Sequence, residues 1–160
     1  MPNTRPNTIH LADYTPSAYL IDTIDLDVLL HPTRTRVTAT LKVRPNPDAT
    51  STGKPLRLDG EAISLNAISI DGKALAPSDY MTGQDSLTVR RPPKGPFTLT
   101  IVTHCSPEAN KSLSGLYRSR GIYCTQCEAQ GFRRITYAID RPDVLSVYTT
   151  RLEAEKDDAP

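Results

Sequence analysis

The segment from Tyr19 to Arg44 constrains the fold more than any other part of this chain. Tyr19, Ile21 and Thr23 stand in one alternating set, and Ile24, Leu26, Val28 and Leu30 continue the alternation against Asp25, Asp27 and Leu29. The one-residue phase slip near Thr23–Ile24 predicts a bulge, or a strand end buried on both faces. His31-Pro32-Thr33 reads as a turn, after which Val37, Ala39, Leu41 and Val43 alternate with Arg36, Thr38, Thr40, Lys42 and Arg44. A period of two is incompatible with a helix, so the pair predicts a long hairpin with one polar face.

Short strand candidates follow at Pro55–Leu58, Ile63–Ile70, Ser86–Arg90 and Phe97–His104, with Asp71-Gly72 as a tight turn. No window from 17 to 104 carries a 3.6-residue apolar period, and 14 prolines against 8 glycines punctuate the runs. Beyond Ser106, Gly115–Tyr117 and Ile122–Cys124 read as short strands, and Glu128–Ile139 has room for one short helix that Gly131 weakens. Val144–Ala154 returns to strand character. The expected fold class is all-β, a sandwich of mainly antiparallel strands with at most one short helix. Residues 1–16 read as an N-terminal arm, 17–156 as the β domain, and 157–160 as the start of a linker.

Charge and cysteine content narrow the function classes. Lys+Arg of 19 against Asp+Glu of 18 gives a net charge of +1, scattered along the chain, which offers nucleic acid no electrostatic footprint. No run approaches the roughly 20 apolar residues of a membrane span. Three cysteines, an odd number in a chain without an apolar leader, point to a reducing compartment and a cytoplasmic location.

Few residues carry recognisable chemistry. The histidines His10, His31 and His104 are never spaced as His-x-x-x-His, so no imidazole pair is set to grip a metal. Cys124-Thr125-Gln126-Cys127 supplies only two of the four ligands of a structural zinc site; Cys105 and His104 would complete a Cys3His set, and buried or half-buried free thiols are the plainer reading. No Gly-x-Ser-x-Gly elbow and no glycine-rich phosphate loop are present. If the segment after Tyr123 is extended, Gln126 and Glu128 share a face. An amide beside a carboxylate suits a primary ammonium group, the carboxylate taking the charge and the amide oxygen a further N–H.

The stretch Tyr123 to Thr150, YCTQCEAQGFRRITYAIDRPDVLSVYTT, resembles the N-terminal domain of bacterial aminopeptidase N, of the zinc-dependent gluzincin aminopeptidase family. Leu113-Ser114-Gly115-Leu116-Tyr117-Arg118-Ser119 is similar to the family's Ser-Gly-Leu-Tyr turn, and Tyr14–Ile21 also fits. The resemblance spans about residues 9–156 and implies a saddle-shaped β domain packed against a thermolysin-like catalytic domain. It also implies that Glu128 binds the free α-amino group of a peptide substrate and that Gln126 lines the pocket for the first side chain. Cys124 and Cys127 are then not metal ligands, and Arg133, Arg134 and Asp140–Asp143 are structural.

Other family motifs are missing from the 160 residues. His-Glu-x-x-His is absent, as is Gly-x-Met-Glu-Asn, since the only methionines are Met1 and Met81, and Thr82 follows Met81. The expectation is a substrate-anchoring domain of a zinc metalloaminopeptidase, inactive alone, with no cofactor of its own and zinc in the complete enzyme. The rival expectations are a free-standing β-sandwich interaction module and a small zinc- or thiol-active protein built on Cys124 and Cys127.

Overall fold

The computed structural model describes residues 12, 14–49 and 53–156. Most of the arm expected over 1–16, and the linker expected over 157–160, lie outside the described residues. The first hairpin is as long as its alternation predicts: β1 (Tyr19–Leu30) pairs antiparallel with β2 (Thr35–Pro45). The phase slip is a bulge at Asp22, where the register shifts between Ile21 and Thr23. It lets Ile21 and Ile24, three apart, both face the core, while the Asp22 carboxylate accepts from Arg44 Nε at 2.9 Å. At the hairpin's tip His31 organises the backbone, its Nδ1 accepting from Thr33 N (3.3 Å) and Arg34 N (3.2 Å).

Nine further strands follow: β3 (Leu56–Asp59), β4 (Ser64–Ile70), β5 (Lys73–Ala74), β6 (Tyr80–Thr82), β7 (Ser86–Val89), β8 (Phe97–Cys105), β9 (Gly115–Ser119), β10 (Ile122–Gln126) and β11 (Val147–Ala154). A six-stranded sheet runs β11-β1-β2-β8-β4-β5, a three-stranded sheet β3-β7-β6, and β9 and β10 form a separate hairpin. The β4–β5 turn is Asp71-Gly72, both with positive φ (48° and 77°), the backbone that a two-residue hairpin requires. Every pairing is antiparallel except β1 with β11, which is parallel, Thr23 opposite Val147 through Leu30 opposite Ala154.

One hydrophobic cluster joins the sheets. Leu41 and Val37 of β2, Leu99 and Ile101 of β8, Leu56 and Leu58 of β3, and Leu87 and Val89 of β7 are all fully buried in it. This two-layer packing is the β-sandwich that the alternation predicts. The short helix expected within Glu128–Ile139 is reduced to a single 3-10 turn, Phe132–Arg134. Helical propagation stops there because Ala138 forms an isolated antiparallel bridge with Asp59, pulling the chain into extended backbone.

Candidate substrate-anchoring turn

The residues singled out by sequence lie where the β9–β10 hairpin leads into the 3-10 turn. Arg120 and Gly121, with φ of 51° and 86°, close that hairpin in two residues, and Arg118 stacks its guanidinium 5.0 Å from the Tyr123 ring centre. β10 ends at Gln126, opposite Gly115. Glu128 lies beyond the strand in a turn closed by Gly131 N donating to Cys127 O at 2.9 Å. The shared strand face expected for Gln126 and Glu128 is therefore not formed, because the chain leaves extended geometry between them. Both residues are exposed, and the Glu128 carboxylate has no hydrogen-bond or ion-pair partner among the described residues.

The turn is tightly closed from behind. A Cβ on Gly131 would overlap Gln126 O and come within 2.8 Å of Ser114 Oγ and 3.0 Å of Cys127 Cα, so glycine is required there by contact rather than by φ, which is −116°. Downstream, Arg133 fastens the segment to the sandwich. Its Nε donates to Asp140 Oδ2 at 2.9 Å, its Nη2 to Asp140 O at 2.9 Å, and its backbone N to the same carboxylate at 3.1 Å. Asp59 at the end of β3 joins from the other side, 3.8 Å from Arg133 Nη2, and accepts from Asp140 N at 3.3 Å. Arg134 pairs with Glu61, and Arg133 O accepts from Glu61 N at 2.9 Å. Of the six residues expected to be structural in this region, all but Pro142 are ion-pair partners: Arg133 with Asp140, Arg134 with Glu61, and Arg141 with Asp143 at 2.7 Å.

Beside the turn opens an apolar groove of about 750 Å³. Leu26 and Val28 of β1, Tyr148 and Leu152 of β11, Phe132, and Cys127 line it. Leu26 and Val28 are buried in the core cluster, whereas Tyr148 and Leu152 extend the same face onto β11, where it is left uncovered. Tyr148 is 52% and Leu152 65% exposed, well above what a finished core tolerates. Phe132 meets Tyr148 edge-on, ring centres 5.4 Å apart. Partial desolvation at the groove mouth, with the Asp140 carboxylate nearby, raises the Cys127 thiol above its ordinary value.

The Cys3His set that the spacing permits is not assembled. Among the described residues no three His, Cys, Asp or Glu side chains gather as a metal site. Cys105 is buried in β8, its thiol pushed up to about 11 by burial, while Cys124 and Cys127 belong to β10 and the turn beyond it; all three are free. No helix among the described residues is long and apolar enough to cross a membrane. Sequence reasoning marked Gln126 and Glu128 but not the groove, whose only sequence trace is the apolar content of β11.

Known proteins share this architecture. Aminopeptidase N of Caulobacter vibrioides is 48% identical over 150 residues, covering 94% of this chain and 17% of that protein. The crystal structure of Legionella pneumophila aminopeptidase A in complex with aspartic acid superposes with a TM-score of 0.85 at 32% identity, over 92% of this chain and 17% of the other. The fold extends to an M1 zinc metallopeptidase from Deinococcus radiodurans, with a TM-score of 0.71 at 17% identity over 89% of this chain and 34% of that one. The chain therefore spans about a sixth of the length of the curated aminopeptidases N it matches. The model of the peptidase M1 N-terminal domain matches residues 16–159, and over nearly its whole length this chain belongs to that family.

Proposed function

We propose that the chain is the substrate-anchoring and structural domain of a zinc metalloaminopeptidase, with Glu128 binding the α-ammonium group of a peptide's first residue. The observation that carries this is the state of the Glu128 carboxylate: exposed, without a partner among the described residues, and held on a turn braced from both sides. A carboxylate on a firmly held turn with no partner of its own is placed to receive a cation from outside the domain. Gln126, two residues upstream, lines the pocket for the first side chain in the same reading. Blocked N-termini carry no charge for Glu128 to meet, so free amines are selected.

Hydrolysis itself belongs to residues outside these 160, which contain no His-Glu-x-x-His. Zinc held there supplies the Lewis acid and the activated water. The partner is the catalytic domain of the same protein, docked against the apolar groove and the turn beside it. Docking removes water from around Glu128 and strengthens its pull on an ammonium group. The three free thiols suit a reducing, cytoplasmic setting.

The test is Glu128→Gln in the complete protein, with a free-amine peptide as substrate. Loss of a charge-assisted hydrogen bond worth about 1.5–3 kcal/mol lowers kcat/KM roughly ten- to a hundredfold. An unchanged kcat/KM removes Glu128 from the amine site.

A further inference from the structure

The Glu128 carboxylate makes no hydrogen bond or ion pair among the described residues, so its location is inherited from the backbone that carries it. That backbone has two supports. Upstream is the β9–β10 hairpin, a sheet of two strands that shares no strand with the main sheets. Such a ribbon fixes the turn relative to itself and is held to the body of the domain by packing rather than strand pairing, Leu116 lying in the core cluster and Tyr123 against it. Downstream is Arg133, which ties the 3-10 turn to Asp140 and to the end of β3. We propose that Arg133 is a positioning residue for substrate recognition, its guanidinium setting where the Glu128 carboxylate stands for the incoming ammonium group. This rests on the reading of Glu128 as the amine anchor.

The chemistry of the clamp argues for a guanidinium. Arg133 addresses a side-chain oxygen and a main-chain oxygen of Asp140 at once, both at 2.9 Å, a geometry that a planar fork satisfies and a point charge does not. It also stands between two carboxylates, Asp140 and Asp59, all three half-buried. Arg57, which donates to Asp59 Oδ1 at 3.0 Å, balances only one of them. Without Arg133 the acids repel across the joint between the turn segment and β3, and the segment that carries Glu128 shifts. The Asp59–Ala138 bridge, with bonds of 2.7 and 3.1 Å, persists in that event, so the fold tolerates a displacement that recognition does not.

The experiment uses the complete protein and reads amine recognition separately from overall activity. Inhibition constants are measured for alaninamide and for propanamide, which differ only in the amine, and their ratio is the amine preference. Arg133→Gln lowers that ratio by roughly tenfold or more, since displacements near 1 Å suffice for losses of that order, and Arg133→Lys recovers part of it. In the Glu128→Gln background Arg133→Gln has no further effect, because it acts through Glu128. Arg133→Lys, which keeps a cation between Asp140 and Asp59 but loses the planar fork, is the readout if Arg133→Gln does not fold: its ratio still falls, by less.

An unchanged ratio in Arg133→Gln, or in Arg133→Lys where the first variant does not fold, alongside a lowered one in Glu128→Gln, overturns the positioning role and leaves Glu128 as the anchor. A full-sized effect of Arg133→Gln persisting in the Glu128→Gln background overturns it equally. An unchanged ratio in Glu128→Gln removes the anchor, and the positioning role with it.

Discussion

Gly60 offers a sharp test of how the turn segment is packed onto the sandwich. It follows β3 directly, donates its N–H to Asp85 O at 3.0 Å, and lies under the ring of buried Tyr137. A Cβ at this position would overlap two ring carbons of Tyr137. Nothing cheap can yield, because the ring is part of the core cluster and its neighbour Ala138 is bonded to Asp59 in both directions. Gly60→Ala therefore behaves as an overpacking substitution costing about 1–3 kcal/mol. For a domain of this size that is a fall in Tm of roughly 2 to 12 °C. Urea unfolding of the 160-residue chain followed by circular dichroism should show a lower midpoint at unchanged slope. Gly95→Ala is the control, since a Cβ there meets nothing within 4 Å, and its effect stays within about 0.5 kcal/mol. If Gly60→Ala is as stable as Gly95→Ala, Tyr137 is not seated against Gly60 and the packing argument for this segment is wrong.

Other consequences are measurable with the same protein. Asp143 accepts from Arg141 at 2.8 and 2.7 Å and from Tyr14 at 3.0 Å, and these bonds, Arg141 foremost, hold its carboxyl below the ordinary value of 3.8. A depressed folded-state pKa contributes stability above that value and loses it as the pH falls through the folded one. The stability gap between the wild type and Asp143→Asn should therefore shrink on acidification below pH 3.8, and a gap that is constant from pH 7 down to that of acid unfolding would contradict the pairing. With its thiol near 11 and buried, Cys105 should resist alkylation at pH 8 while Cys124 and Cys127 are labelled, until denaturant is added; mass spectrometry of timed samples decides this. Leu152→Asp should quench the binding of an environment-sensitive dye to the isolated chain while shifting its stability by no more than about 0.5 kcal/mol, because the side chain is exposed. In the complete protein the same substitution should lower Tm, by burying a charge at the docked face.

Local pattern carried most of the fold into view. Ile21 and Ile24 announced the bulge three residues apart, and Asp71-Gly72 announced the β4–β5 turn. β6 escaped because Tyr80–Thr82 is three residues long and two of them are exposed, too short for any alternation. Strand character in Val144–Ala154 was legible, but not its start at Val147 or its parallel neighbour, since period-2 alternation identifies a face and never a partner. The candidate site divides in the same way. Glu128 and Gln126 were visible through the segment they occupy, and the resemblance marked Arg133, Arg134 and Asp140 as structural, but not their distant partners: Arg134 meets Glu61 across 73 residues and Asp140 meets Asp59 across 81. Contacts at that separation leave no periodic trace.

The parallel pairing of the first strand with the last has a consequence for biosynthesis. Asp27 and Arg151, joined at 3.0 Å, are 124 residues apart, so at roughly 5–20 residues per second a ribosome needs several seconds or more between them. Throughout that interval the outer edge of β1 is a bare template with no legitimate neighbour. Its solvent face carries Asp25 and Asp27, like charges that discourage a second nascent chain from adding to the edge. When β11 emerges, Arg151 brings the cation that Asp27 has lacked. The same aspartate thus guards the edge while it is open and helps select the strand that closes it.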